Sequence, residues 1–549
     1  MNFSIKGWEL RLFIPQKSYA KLKTFFYNIF TERNVYYLVS ILLVVISIWA
    51  FYFYYENKLG LAYNDARSHL DIGRRVVEGL KPGLAQLGSV WLPLPHVLMI
   101  FTIWDDFMWH SGLAGAIISM ISFVVTGLLI FKILKELNVG LVGRVLGVLI
   151  FVLNINILYL QSTAMTELLL IATMTAGCYE LLIWHKSDNV LHLVKAAFYI
   201  MLSTLTRYDG WFLFFIAAVL VVIKTFRTKG YKAAEGMFVL FCTLGGFGLF
   251  LWLLWNALIF KDPLYFAFGP FSAHAQQLQL EDAGVLITKH DWYQSLRFYL
   301  YAMVYNSGAV QVIFGIIGAF LIFVDRKLTT NTKIGITALL APFVFNVLAL
   351  YLGHSVLFIQ GLSGDTWFNV RYGIMLMPSI AVFVGFLIDR AKYFSRMVVP
   401  ILGISIFFMF YSADAVTIDD ARVGSSQKNV TEVSGYLREH AKNSTGYVLI
   451  SAASHDAIIF SSGLPMSRFI HEGTGLYWQD AIEFPDRWAH WIVMRTYDDN
   501  DLAWKGVKDS PGLERYTIVG KFPFADIYEL KPEYVGQLNL DQRFKDVQK

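Results

Sequence analysis

Around Asp65 the chain reads Tyr-Asn-Asp-Ala-Arg-Ser-His-Leu, which puts a carboxylate one helical turn ahead of an imidazole, His69. The segment continues through Pro82 and Gly83 to Trp91-Leu-Pro-Leu-Pro-His96, just beyond the first long apolar run. A carboxylate can take a proton as a bond forms, and a guanidinium suits a phosphate or carboxylate through paired hydrogen bonds. Ionisable groups beside a bilayer are costly, so their concentration marks a functional-site candidate. Further polar groups recur at equivalent places. Glu167 opens an apolar segment in Thr-Glu-Leu-Leu-Leu, and Arg207, Tyr208 and Asp209 form a tight turn. His274, Gln276 and Gln277 occupy a long loop, and Asp365, Asn369, Arg371 and Tyr372 lie in Gly-Asp-Thr-Trp-Phe-Asn-Val-Arg-Tyr-Gly.

The elements that must position these groups are membrane helices. The 549 residues are 56% hydrophobic and only 16% charged, with mean hydropathy +0.50, whereas soluble domains carry about 25% charge. Runs near 20 apolar residues recur, the length a helix needs to cross a bilayer. The pattern predicts about eleven spans: roughly 35–55, 112–134, 139–158, 166–184, 192–206, 211–224, 234–259, 308–324, 334–352, 372–389 and 397–413. Residues 91–109, broken by Pro93, Pro95, Asp105 and Asp106, read as interfacial. Cys178 and Cys242 fall inside apolar segments and imply no disulfide framework. Nothing in the pattern points to nucleic acid.

Lys and Arg in short loops set orientation. The turns holding Lys132 and Lys135, Lys186, Lys224 to Lys232, Arg326 to Lys333 and Arg390 to Arg396 are all basic. They predict a plasma-membrane protein with residues 1–34 as a basic cytoplasmic tail, carrying Lys6, Arg11, Lys17, Lys21, Lys23 and Arg33, before a retained anchor. The multi-span region then covers 35–413. Residues 414–549 follow outside, with a helical pattern over Gln427–His440 and strand patterns at Tyr447–Ser451, Trp491–Arg495 and Asp526–Leu530. The fold class is therefore a polytopic helical membrane protein with a small C-terminal extracytoplasmic α/β domain.

Each group also has a purely structural reading. On a helix through residues 64–78, Ala66, Leu70, Gly73 and Val77 line one side, while Arg67, Asp71, Arg74, Arg75 and Glu78 read as a solvated face of i,i+4 pairs. Arg207 and Asp209 can hold a turn together. Glu167 can be a carboxylate favoured by a helix N-terminus. His96 reads as structural and His274 as solvated. Asp65, beginning an amphipathic helix with His69 one turn on, is the strongest functional candidate. All of these groups sit at one ends-of-span level, whereas a transporter places charge near the midplane.

The acidic first outer loop, the acid at the outer start of span four and the C-terminal soluble domain together resemble the GT-C membrane glycosyltransferases. Within that superfamily, the nearest branch is that of the protein O-mannosyltransferases and the aminoarabinose transferase. The resemblance covers the architecture over the full length. Motif support comes from Asn64–His69, Pro82–His96, Thr166–Glu167, Thr206–Trp211 and Asn369–Pro378. Two features depart: Asn64 stands where a paired acid is common, and no Trp-Trp-Asp motif occurs in the C-terminal region.

The resemblance implies transfer of a sugar from a polyprenyl-phosphate donor to a protein, lipid or glycan acceptor on the outer side, with inversion. Asp65 is then the catalytic base, Arg371, Arg207 and Lys81 are candidates for the donor phosphate, and His69, Glu167, Asp209, Asp365 and Tyr372 complete the substrate-binding set. The residues do not fix a cofactor: Asp65, His69 and Glu167 offer oxygen and nitrogen ligands to a divalent metal, but without zinc-site spacing. A non-catalytic carrier or flippase for a lipid-linked saccharide would use the same groups for binding alone. A scaffold acting through 425–549 is a third reading.

Overall fold

The computed structural model describes residues 2–5, 8–11 and 31–540, apart from 270–271, 283, 413–414 and 424–426. Lys6, Lys17, Lys21 and Lys23 of the basic tail lie outside the described residues. Among the described residues seven helices are long and apolar enough to cross a membrane: Glu32–Glu56, Leu113–Glu136, Glu167–Ser187, Asp209–Lys229, Thr330–Tyr351, Val370–Arg390 and Lys392–Arg422. The bent pairs Tyr231–Gly245 with Phe247–Phe260 and Trp292–Ser307 with Ala309–Val324 raise the number to nine if each counts as one crossing. The chain is a multi-pass membrane protein. Leu141–Val152 and Val190–Thr204 are apolar but shorter. The run at 139–158 is divided because Asn154 starts a second helix, Ile155–Leu160, its side chain accepting from the Ile157 amide at 2.9 Å.

The helices differ in how they are enclosed, and this decides where polar groups can gather. Glu167–Ser187 and Val370–Arg390 are 83% and 89% buried over their apolar windows, against 28% for Glu32–Glu56. The last presents Ile41, Val45, Trp49 and Tyr52 outward, as a lipid-facing rim helix does. The two central helices are the ones that begin at or beside Glu167 and Arg371. Small residues permit close packing around the second of them. A Cβ on Gly147 would lie 3.1 Å from the Ala381 carbonyl oxygen, and one on Gly373 only 2.3 Å from that of Ala302. The second contact seats helix Trp292–Ser307 against the turn that carries Arg371. That helix falls between the expected spans 234–259 and 308–324, where no helix is expected. It turns by 110° at Gly308, whose φ of +88° favours glycine.

Helix Asn64–Val77 departs from expectation in one respect. The face read as solvated is buried: Arg67, Asp71 and Arg74 are enclosed, because helix Ala452–Ser462 of the C-terminal region and the short helix Asp106–His110 cover it. Arg75 pairs with Asp456 at 3.1 Å, Arg67 donates to Ser461 Oγ at 3.1 Å, and Trp109 Nε1 donates to Asp71 at 3.1 Å. Arg74 pairs with Asp106 at 2.5 Å and also with Glu78. Single-helix periodicity assigned these charges to water. Apart from the local Arg74–Glu78 pair, their partners come from distant segments that no local pattern shows.

The C-terminal region holds a five-stranded sheet in the order Phe469–Ile470, Tyr447–Ile450, Ala489–Met494, Asp526–Leu530, Tyr516–Lys521. The first three strands are parallel and the last two join antiparallel. Phe469–Ile470 has only two residues, and Tyr516–Lys521 is a half-exposed edge strand with Gly520 and Lys521. Both lack the alternation that marks a strand in sequence.

Candidate active site

Glu167 is the first residue of its helix, and its side chain is fully buried at 0% exposure. Burying a carboxylate alone is prohibitive, and two arginines resolve the cost. Oε1 of Glu167 receives Arg371 Nε at 3.1 Å and Arg207 Nη1 at 3.3 Å. Arg207 also donates to Thr166 Oγ1 at 3.2 Å and faces Asp209 at 3.5 Å, so the tight turn is itself part of the cluster. Oε2 of Glu167 has no hydrogen-bond partner among the described residues.

Arg371 is held at the start of a 3-10 turn, Val370–Leu376, behind Asn369 in the left-handed region at φ +56°. Asn369 donates to the Val356 carbonyl at 3.0 Å, and Asn306 donates to that of Val370 at 2.6 Å, fixing the backbone on both sides of the guanidinium. The guanidinium reaches three carboxylates: Asp65 at 2.6 Å, Glu167 at 3.1 Å and Asp420 at 3.6 Å. It lies over the rings of Tyr63, at 4.9 Å, and Tyr372, at 5.4 Å. Arg207 lies over Tyr372 at 5.3 Å. Tyr372 therefore faces both cations, an arrangement an aromatic quadrupole favours.

Asp65 opens helix Asn64–Val77, and its side chain is 41% exposed, in contrast to Glu167. One turn on, His69 is buried, with Nδ1 2.9 Å from His96 Nε2 and its ring 4.4 Å from that of Trp91. Burial, followed by the charges of Arg207 and Arg371, pushes the His69 pKa down to about 3. His96 is likewise held well below its usual range by burial and by His69. Both rings are neutral, and one proton is shared in a bond that supports the Asp65 helix.

The structure thus brings together Asp65, Glu167, Arg207, Asp209, Arg371 and Tyr372, with His69 alongside. It does not bring in Lys81, which is exposed with Nζ against Gly475 of the C-terminal region. Nor does it bring in Asp365, exposed in a loop between the bridged Phe358 and Phe368 and without an ion pair among the described residues. Tyr63 and Asp420 were missed. The Tyr63 hydroxyl donates to Asp420 Oδ2 at 3.0 Å. A usable signal existed for Asp420, an acid just past the last apolar span and hence at the same level as the others.

No protein-family model matches the sequence, and no curated protein does either. The structure is similar to that of ArnT from Cupriavidus metallidurans bound to undecaprenyl phosphate. The TM-score is 0.56 at 9% identity, covering 90% of this chain and 98% of that one. Against the apo form it is 0.53 at 10% identity, with the same coverage. The oligosaccharyltransferase of Archaeoglobus fulgidus gives 0.46 at 12% identity over 83% of this chain and 67% of its own. The likeness shows that this chain and ArnT share a fold. In this bundle the conspicuous charges converge at the end that carries the C-terminal sheet.

The donor set does not suit a metal ion in this arrangement. A guanidinium already lies between Asp65 and Glu167, and His69 is bonded to His96. Among the described residues no group of three His, Cys, Asp or Glu side chains is arranged as ligands.

Proposed function

We propose that this protein is an integral-membrane glycosyltransferase that moves a sugar from a polyprenyl-phosphate donor to a hydroxyl or amino acceptor, with inversion at the anomeric carbon. The observation that carries the proposal is the chain Asp65–Arg371–Glu167, in which one exposed carboxylate and one buried carboxylate share a guanidinium. The fold likeness to a protein bound to undecaprenyl phosphate supports a lipid phosphate as the donor.

Two arginines, Arg207 and Arg371, face four carboxylates, Asp65, Glu167, Asp209 and Asp420. A phosphate can enter only if one carboxylate gives way. Asp65 is the one with solvent access, so the donor phosphate takes its place on Arg371 and leaves Asp65 free as a base. Asp65 then accepts the acceptor's proton as the acceptor atom attacks the anomeric carbon. The bond from that carbon to the phosphate oxygen breaks, its electron pair stays on the phosphate, and Arg371 stabilises the added charge. Arg207 supports it through Glu167. Oε2 of Glu167, buried and without a partner among the described residues, then accepts a sugar hydroxyl. Lys81 and Asp365 belong at the rim of the donor and acceptor path.

The basic turns support a plasma-membrane orientation with the N-terminus in the cytoplasm and residues 414–549 outside. Counting both bent pairs as single crossings and adding the two short apolar helices supports eleven spans. The test is sugar release from a radiolabelled polyprenyl-phosphate sugar by purified protein with cell-envelope acceptors. Asp65→Asn should lose about 10²–10⁴-fold in turnover. Undiminished turnover removes Asp65 from the role. Binding of the donor without any transfer by the wild type overturns the enzyme in favour of a carrier.

A further inference from the structure

Asp420 comes from neither of the two central helices. It lies in Val416–Val423, beyond the apolar stretch Ser395–Tyr411, where the chain passes toward the C-terminal sheet. This segment is pinned to the bundle by Asn156, whose Oδ1 accepts from the Thr417 amide at 3.1 Å and its hydroxyl at 2.8 Å, while Asn156 Nδ2 donates to the Asn306 carbonyl at 3.1 Å. The Asp420 side chain is 2% exposed and stands 3.6 Å from Arg371 Nη1, with the Tyr63 hydroxyl on the same Oδ2 at 3.0 Å. The three carboxylates therefore meet three different nitrogens of one guanidinium: Nη2 on Asp65, Nε on Glu167 and Nη1 on Asp420.

We propose that Asp420 is a positioning residue for the donor site, holding Arg371 in register when the donor phosphate displaces Asp65. The inference rests on the reading of Arg371 as the phosphate ligand. With Nε on Glu167 and Nη1 on Asp420, rotation of the guanidinium about its Nε bond is blocked, and Nη2 is the nitrogen left for the phosphate. Asp420 also competes with Asp65 for the same cation, which weakens the pair that the donor must break. Removing its charge lets the fork swing and tightens Arg371 on Asp65. Relief of repulsion toward the phosphate works the other way. It acts across the width of the guanidinium, however, and Coulomb energy falls with distance, whereas Asp420 pairs directly with Nη1.

The experiment is the Kd of the full-length purified protein for undecaprenyl phosphate, with the thermal midpoint measured in parallel. Asp420→Asn keeps the volume and an acceptor for Tyr63 and should weaken binding about 10–150-fold, the range of one charge-assisted contact. Asp420→Glu, which restores the charge, should recover most of it. Tyr63→Phe, which frees Asp420 without removing it, should weaken binding by a smaller factor and keeps the test available if the Asn variant does not fold. A merely structural residue would lower the thermal midpoint and leave the Kd of the folded fraction, and the rescue by Glu, unaffected. Wild-type affinity or tighter binding in both Asp420→Asn and Tyr63→Phe overturns the proposal. If the wild type itself does not bind undecaprenyl phosphate, the proposed donor falls first. If it binds and the variants bind equally, only the role of Asp420 falls.

Discussion

Asp65 and Arg371, 306 positions apart in the chain, meet at 2.6 Å. The pair joins the first residue pattern that stands out in the sequence to the central helix of the bundle. It also leaves the proposed base and the proposed phosphate ligand occupied with each other until substrate arrives.

Breaking that pair from the acid side should separate binding from chemistry. Asp65→Ala is expected to bind undecaprenyl phosphate as tightly as the wild type or several-fold more tightly, because Arg371 is released, while transfer falls by about 10²–10⁴-fold. Titration with the lipid phosphate beside a turnover assay reads both. Weaker lipid binding together with full turnover would sink the exchange of Asp65 for phosphate.

Arg371→Lys should not be conservative. An ammonium cannot serve three carboxylates in a planar fork, and Glu167 and Asp420 would be left buried with poor compensation. Leaving a buried charge unpaired costs about 3–5 kcal/mol. A thermal midpoint several degrees lower in detergent and a loss of lipid-phosphate binding are expected together. A variant of unchanged midpoint would mean that the cluster relaxes around lysine.

Gly373→Ala tests the packing that seats Arg371. A Cβ there would lie 2.3 Å from the Ala302 carbonyl oxygen, so helix Trp292–Ser307 must shift. Overpacking of this kind costs about 1–3 kcal/mol. Activity should fall more than stability, since the displaced turn carries the guanidinium. Activity at the wild-type level would show that the two elements have slack.

The junction between helix Asn64–Val77 and the C-terminal region should respond to pH. Asp71 and Asp456 are close, and around them lie Arg75, Arg67, Trp109 and Glu472. Burial, with the Asp456 charge, raises Asp71 well above the carboxylate range, and burial raises Asp456 to about 6. The folded state therefore keeps protons that the unfolded chain, at 3.8, has already lost. Stability is fully present below about pH 4 and declines as pH rises through about 6, by on the order of 1–3 kcal/mol. Asp456→Asn, a neutral isostere, should flatten thermal midpoints measured between pH 4 and 7. A slope undiminished by the substitution would place its origin outside this pair.

The sequence alone determined the membrane class, where the long apolar runs lie and the level at which polar groups collect. All three follow from local physics: each long apolar run must satisfy its own backbone hydrogen bonds, and charges are driven to its ends. Asp65, Glu167, Arg207 and Arg371 could be selected as candidates because each stands at such an end. Which of them touch was decided only by the tertiary structure. Lys81 and Asp365 share the same level yet do not join the cluster, whereas Asp420 does. Level is set by hydropathy along the chain, but neighbourhood is set by which helices pack at the centre. That depends on small-residue contacts such as Gly373 on Ala302, which no periodicity encodes. The buried face of helix Asn64–Val77 shows the same limit. Its charges look solvated to any local pattern, because the groups that partner Arg75 and Arg67, Asp456 and Ser461, arrive from almost 400 residues away.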